Sequence, residues 1–84
     1  MSSSLRSPRQ RKLREILIDA RKSAKLTQAE LAQRLQKPQS FVAKYELGER
    51  RVDVVEFVAI ATALGLEPAD FLAGYIDMCK SEEI

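Results

Sequence analysis

Apolar residues recur along this chain with the period of a helix. Leu13, Ile16, Leu17, Ala20 and Ala24 fall at i, i+3, i+4, i+7 and i+11, which predicts a first helix over residues 9–23. Ser7 ahead of Pro8 supplies its start signal. Thr27 and Glu30 have the spacing of a capping box, in which the threonine oxygen takes a first-turn amide and the glutamate reaches back to the cap. Leu31, Ala32 and Leu35 then form one apolar side of a second helix, too short to be stable alone. A third is expected to open at Pro38, whose missing N–H costs nothing at a first helical position. It turns Val42 and Tyr45 inward and ends at Gly48, which can take the left-handed conformation. Asp53 and Glu56 repeat the capping-box spacing and predict a fourth helix. Its inner face carries Phe57, Ile60, Ala61 and Leu64, with Val54 and Val58 flanking, and Gly65 stops it. Pro68 starts a fifth, with Phe71, Leu72, Tyr75 and Ile76. The β-branched Val52, Val54 and Val55 are too few for a strand and stand at a helix start.

The pattern therefore predicts a compact all-α domain of five helices over residues 9–76. A basic N-terminal arm over 1–8, expected to be disordered, precedes it. A polar tail over 77–84, expected to fray, follows. Helices 2 and 3 are short, joined by a tight turn, and carry a small residue, Ala32, where two steeply crossing backbones must approach closely. This is the shape of a helix-turn-helix, whose second helix can lie in the major groove of DNA.

Composition narrows the chemistry. Eighty-four residues, 45% hydrophobic and 31% charged, suit one small globular domain whose core is marginal without added burial. The single cysteine, Cys79, excludes an internal disulfide and is expected to be an exposed, unactivated thiol. With no histidine and one cysteine, a zinc site or histidine acid–base chemistry has no basis, so no metal, no cofactor and no enzyme activity are expected. No apolar run approaches a membrane span, and the first eight residues lack a secretion signal's apolar core, so a cytoplasmic protein is expected.

The net charge of +2 hides a division. Residues 1–37 hold ten Lys/Arg against three acidic residues, a balance of +7, whereas residues 38–84 hold four against nine, a balance of −5. One end of the chain suits a polyanion, although the same lysines and arginines also solvate helix 1.

Thr27-Gln28-Ala29-Glu30-Leu31-Ala32, Tyr45-Glu46-Leu47-Gly48 and Ala61-Thr62-Ala63-Leu64-Gly65 together resemble the phage repressor and Cro type of helix-turn-helix, over roughly residues 12–75. The resemblance implies a lambda-repressor-like five-helix domain that binds operator DNA, usually as a dimer on a palindromic site, to regulate transcription. Two positions depart from it. Gln36 stands in the turn where many members have glycine, and a positive φ there would strain it. Val52 stands where many have proline.

By resemblance, Gln39, Ser40, Ala43 and Lys44 on the third helix are the base-reading positions. Gln39 suits an adenine edge, Lys44 guanine acceptors or a phosphate, and Ala43 a thymine methyl. Gln39 and Ser40 also suit a helix start on capping grounds alone. Gln28, at the positive end of the second helix, adds a phosphate contact in this reading, and Arg50 and Arg51 clamp the backbone. Arg6, Arg9, Arg11 and Lys12 either attract DNA electrostatically or are merely solvated. The resemblance also implies an Arg21–Glu46 ion pair that joins helices 1 and 3 without reading bases. Phe41 is expected to pack partly. Phe71, Tyr75, Ile76 and Met78 belong either to the core or to a dimer seam.

A transcriptional repressor acting as a homodimer on double-stranded DNA is the leading expectation. The alternative is the antitoxin of a toxin–antitoxin pair, whose acidic C-terminal half holds a toxin or another regulatory protein while the same fold binds DNA.

Overall fold

Side chains that accept a first-turn amide begin four of the helices. The computed structural model of the chain describes residues 7–83. Ser7 Oγ accepts from Gln10 N at 3.1 Å, so α1 (Pro8–Ser23) starts one residue before the sequence boundary, with Pro8 as its first helical residue. The rest of the expected N-terminal arm, Arg6 included, lies outside the described residues. Thr27 and Glu30 complete their capping box at 3.0 and 2.8 Å and open α2 (Gln28–Leu35). Asp53 and Glu56 do the same at 2.7 and 3.0 Å for α4 (Val54–Ala63). Glu67 accepts from Ala69 N and Asp70 N and starts α5 (Pro68–Ser81).

The exception is α3 (Gln39–Leu47), which has no side-chain cap. Pro38 is its cap rather than its first residue: ψ of 154° keeps it extended, which corrects the expectation from sequence. Its fixed φ, here −69°, still presets the turn.

The first four helices end alike. A left-handed residue lets two successive amides fold back on the last turn's carbonyls, the Schellman arrangement. After α1 it is Lys25 (φ 60°), with Leu26 N donating to Arg21 O; after α2 it is Gln36 (φ 57°), with Lys37 N donating to Ala32 O. Gly48 and Gly65 do the same after α3 and α4. At Gln36 the positive φ that the resemblance called for is present, at a cost of about 1 kcal/mol relative to glycine. At Gly48 a side chain would be strained by φ of +82°, and its Cβ would stand 3.0 Å from the Arg14 guanidinium carbon, which would have to shift.

Leu17 of α1, Leu31 and Ala32 of α2, Val42 and Tyr45 of α3, and Phe57, Ile60 and Leu64 from α4 and its end form one buried cluster. Burial of Leu17, Leu31, Val42 and Ile60 contributes about 1.5–3 kcal/mol each. Ala32 is 2% exposed, at the position where α2 must admit its neighbour closely. Ala24 drops out of the expected stripe because α1 has ended, and Leu26 packs against the cluster.

Two expectations at the C-terminus are corrected. α5 continues to Ser81, so residues 77–81 are helical rather than frayed, and Lys12 Nζ holds Glu82 Oε2 at 2.8 Å across the gap to α1. Cys79 is buried, because the extended helix turns it against the body of the protein. Phe71 stacks on Phe57 with ring centroids 5.5 Å apart, and the Tyr75 hydroxyl donates to Arg9 O at 2.9 Å. Those two side chains are therefore used within the chain, whereas Ile76 and Met78 stay largely exposed. Burial beside Cys79 pushes the Tyr75 hydroxyl up to about 12. Among the described residues, no single helix is long and apolar enough to cross a membrane.

Candidate nucleic-acid interface

The site begins with an arginine that cannot leave its place. Arg21, in the last turn of α1, directs Nη1 to Leu26 O at 2.8 Å in the turn that follows. Its remaining edge meets Glu46 of α3 in a two-point contact, Nε to Oε2 at 2.8 Å and Nη2 to Oε1 at 3.1 Å. The two side chains are 12% and 6% exposed. The structure thus brings together the pair that the resemblance implied, and the Glu46 hydrogen bond raises the arginine's already high pKa.

Glu46 has a second partner that sequence reasoning missed. Gln28, the first residue of α2, donates from Nε2 to Glu46 Oε1 at 2.8 Å. Its other amide end, Oε1, faces Gln39 Nε2 at 3.5 Å, a long contact at the first residue of α3. A continuous polar chain therefore runs from α1 through the buried pair to the tip of α3. The residues lie 18 and 11 positions apart, and only the docking of α2 on α3 makes them neighbours.

From that tip, Gln39, Ser40 and Lys44 are exposed and Ala43 is half-buried. Val42 and Tyr45 face the other way and are buried, so α3 divides cleanly into an anchoring face and an open polar face. The buried Tyr45 hydroxyl has no hydrogen-bond partner among the described residues, and burial pushes its pKa upward.

Comparison with known proteins gives this geometry its context. A family model described as Helix-turn-helix matches residues 17–71. An XRE-family-like protein from Pseudomonas syringae pv. tomato is 44% identical over 83% of this chain and 85% of its own, with a TM-score of 0.79. A mutant restriction–modification controller protein is 20% identical, covers 93% of this chain and 94% of its own, and has a TM-score of 0.77. The clp gene regulator ClgR from Corynebacterium glutamicum is 24% identical over 92% and 85% of the two chains, at a TM-score of 0.72. At those lower identities the shared property is the fold. Comparison with curated proteins found no match.

The chain belongs to the phage repressor and Cro type of helix-turn-helix family. That family consists of DNA-binding transcriptional regulators, and its helix-turn-helix is here α2 and α3.

Basic side chains gather beside the helix-turn-helix. Arg50 lies with its guanidinium carbon 4.7 Å from the centre of the Phe41 ring, and Lys37 Nζ lies 5.5 Å from the same ring. Phe41 itself is half-buried, edge-on to Tyr45 with centroids 5.6 Å apart, so it packs as expected while carrying two cations. Arg50 is already engaged with Glu56 through two contacts, 3.1 and 2.9 Å, which sequence reasoning did not foresee. A guanidinium has five donors, so the pair leaves others for a phosphate. Arg51 is exposed. Arg34 Nη1 donates to Ala63 O at 2.9 Å and ties α2 to the end of α4.

Proposed function

We propose that the protein is a sequence-specific transcriptional repressor that binds a palindromic operator as a homodimer. The open face of α3 carries this reading. Gln39, Ser40, Ala43 and Lys44 sit on one side of a helix anchored by Val42, Tyr45 and Glu46, so they can enter a major groove without loosening the core. Gln39 offers the donor–acceptor pair that matches adenine N6 and N7, and Ala43 a methyl surface for thymine. Gln28, Arg50 and Arg51 are assigned to the phosphates, which supply affinity and salt dependence but no sequence information.

Apolar exposure supports self-association. Ile76 and Met78, with Leu72 on the same helix, leave α5 with uncovered apolar side chains, and Val54 and Val58 do so on α4. Val52, Val54, Val58 and Leu72 share an open groove of about 460 Å³. Ile76 and Met78 are the seam residues of this reading, with Phe71 and Tyr75 supporting them from inside.

Selection from random duplex DNA tests the reading. Two inverted half-sites should emerge, and Gln39→Ala should relax preference at one base pair in each by about 1–3 kcal/mol. Arg51→Ala should weaken every sequence alike and reduce the salt slope by about one. No preference over bulk DNA at physiological salt would sink the proposal.

A further inference from the structure

We propose that the ring of Phe41 is the seat of a two-cation phosphate clamp, in which Lys37 and Arg50 hold one strand of the DNA backbone from the two ends of α3. This rests on the reading of α3 as the helix that enters the groove. Lys37 stands in the turn before α3 and Arg50 in the loop after it, while Phe41 lies in its first turn. The fold brings both cations to that one ring, the Arg50 guanidinium carbon 4.7 Å from its centre and Lys37 Nζ 5.5 Å. An aromatic face attracts cations through its quadrupole. The ring is itself fixed, edge-on with the buried Tyr45 at a centroid distance of 5.6 Å.

Two like charges beside one ring repel each other, and Glu56 offsets only one of them. It accepts from Arg50 Nη1 and Nη2 at 3.1 and 2.9 Å, and its Oε1 also accepts from Asp53 N at 3.0 Å, which holds the carboxylate in place. Arg50 is therefore oriented from two sides, by the ring and by a fixed carboxylate. Lys37 is exposed and has no carboxylate partner among the described residues, so its ammonium donors stay open. Lys37 and Arg50 against Glu56 leave one positive charge uncompensated beside the open face of α3, and a phosphate supplies the missing anion. Both charges lie within 5.5 Å of one ring centre. They are too close together to reach both walls of a major groove about 12 Å wide, so they serve a single strand.

The clamp differs from two independent phosphate contacts because the ring couples its members. A free lysine gives up rotamer freedom when it meets a phosphate, whereas one seated on Phe41 has lost part of that freedom before DNA arrives. Phe41 is thus a positioning residue: it carries no charge and reads no base. Removing its π face should cost affinity for every sequence alike, with base preferences intact and every charge still present.

The experiment measures duplex affinity over a series of salt concentrations, with thermal melts by circular dichroism to keep each variant within its folded range. Lys37→Gln should weaken every sequence alike and lower the salt slope by about one, as the loss of one phosphate contact does. Phe41→Leu keeps an apolar side chain beside Tyr45 but has no π face. In that background the cost of Lys37→Gln should shrink by about two- to fivefold, the worth of one exposed cation–π contact. Phe41→Tyr keeps a ring, and there the full cost of Lys37→Gln should return. An unchanged salt slope in Lys37→Gln would overturn the clamp, and that exposed substitution leaves the core untouched. A cost of Lys37→Gln that is the same with and without the ring would overturn the role of Phe41 as the seat, since packing alone would then explain it. If the intact protein prefers no duplex over bulk DNA, the reading of α3 has itself failed, and the clamp falls with it.

Discussion

Two arginine–glutamate pairs flank α3, alike in chemistry and opposite in consequence. Arg21–Glu46 and Arg50–Glu56 are both two-point contacts at about the same distances. The first joins residues 25 apart, with its side chains 12% and 6% exposed, and hands a hydrogen bond on to Gln28. The second joins residues six apart, with side chains 36% and 18% exposed, and closes a local corner between α3 and α4. Water decides the difference. A pair that has left water leaves an uncompensated charge when one partner is removed, whereas a solvated pair is replaced by hydration. The first therefore fixes where the recognition helix stands, and the second trims a loop.

The strongest way to break this contrast is Arg21→Ala. It should cost about 3 kcal/mol in a urea titration, because Glu46 would stay buried with only Gln28 to satisfy it. Affinity should fall for every DNA sequence alike as α3 loses its anchor. Unchanged stability and unchanged affinity would refute the role given to the pair.

Arg50→Ala should cost less, about 1 kcal/mol, combining a surface pair with the loss of the cation over Phe41. Raising sodium chloride to 1 M should shrink that cost, since exposed charges are screened, and should leave the cost of Arg21→Ala nearly intact. Equal salt sensitivity of the two substitutions would show that burial does not separate the pairs.

The same contrast explains what could be read from the sequence. Helix starts were legible because Thr27 with Glu30, and Asp53 with Glu56, satisfy one another across three residues. Helix ends were legible at Gly48 and Gly65, where residue type announces a positive φ, but not at Lys25, where docking of Leu26 imposes the conformation on an ordinary side chain. Arg50–Glu56 lies within reach of local reasoning and was still missed, because arginines beside a recognition helix read first as phosphate ligands. Arg21–Glu46 came from the resemblance, not from spacing, since nothing local links residues 25 apart. Gln28–Glu46 was invisible for a further reason: it depends on the rotation of α2 about its axis once Leu31 and Ala32 are buried. The C-terminal turns of α5 were misjudged likewise, because a polar run gives no hint that Lys12 will hold Glu82 and that Cys79 will face inward.

The smallest expected effect separates the pairs by acid. The Arg50 guanidinium, helped by the Asp53 amide, holds the Glu56 carboxyl below the ordinary carboxylate value of 4.5 against the opposing effect of partial burial. A carboxyl depressed in the folded state binds its proton more readily when unfolded. Its contribution is therefore fully present above pH 4.5 and disappears as pH falls through the lower folded value. Glu56→Gln removes that charge while the amide oxygen can still accept from Asp53 N and preserve the capping box, although the new NH2 group no longer accepts from Arg50 Nη2. The stability difference between the native chain and Glu56→Gln should accordingly be largest near neutral pH and narrow below 4.5. Denaturant titrations of both proteins at a series of pH values give the comparison directly. A difference that stays constant down to pH 3 would mean that the exposed pair contributes through shape alone, and the distinction drawn from water between the two pairs would lose its footing at this corner.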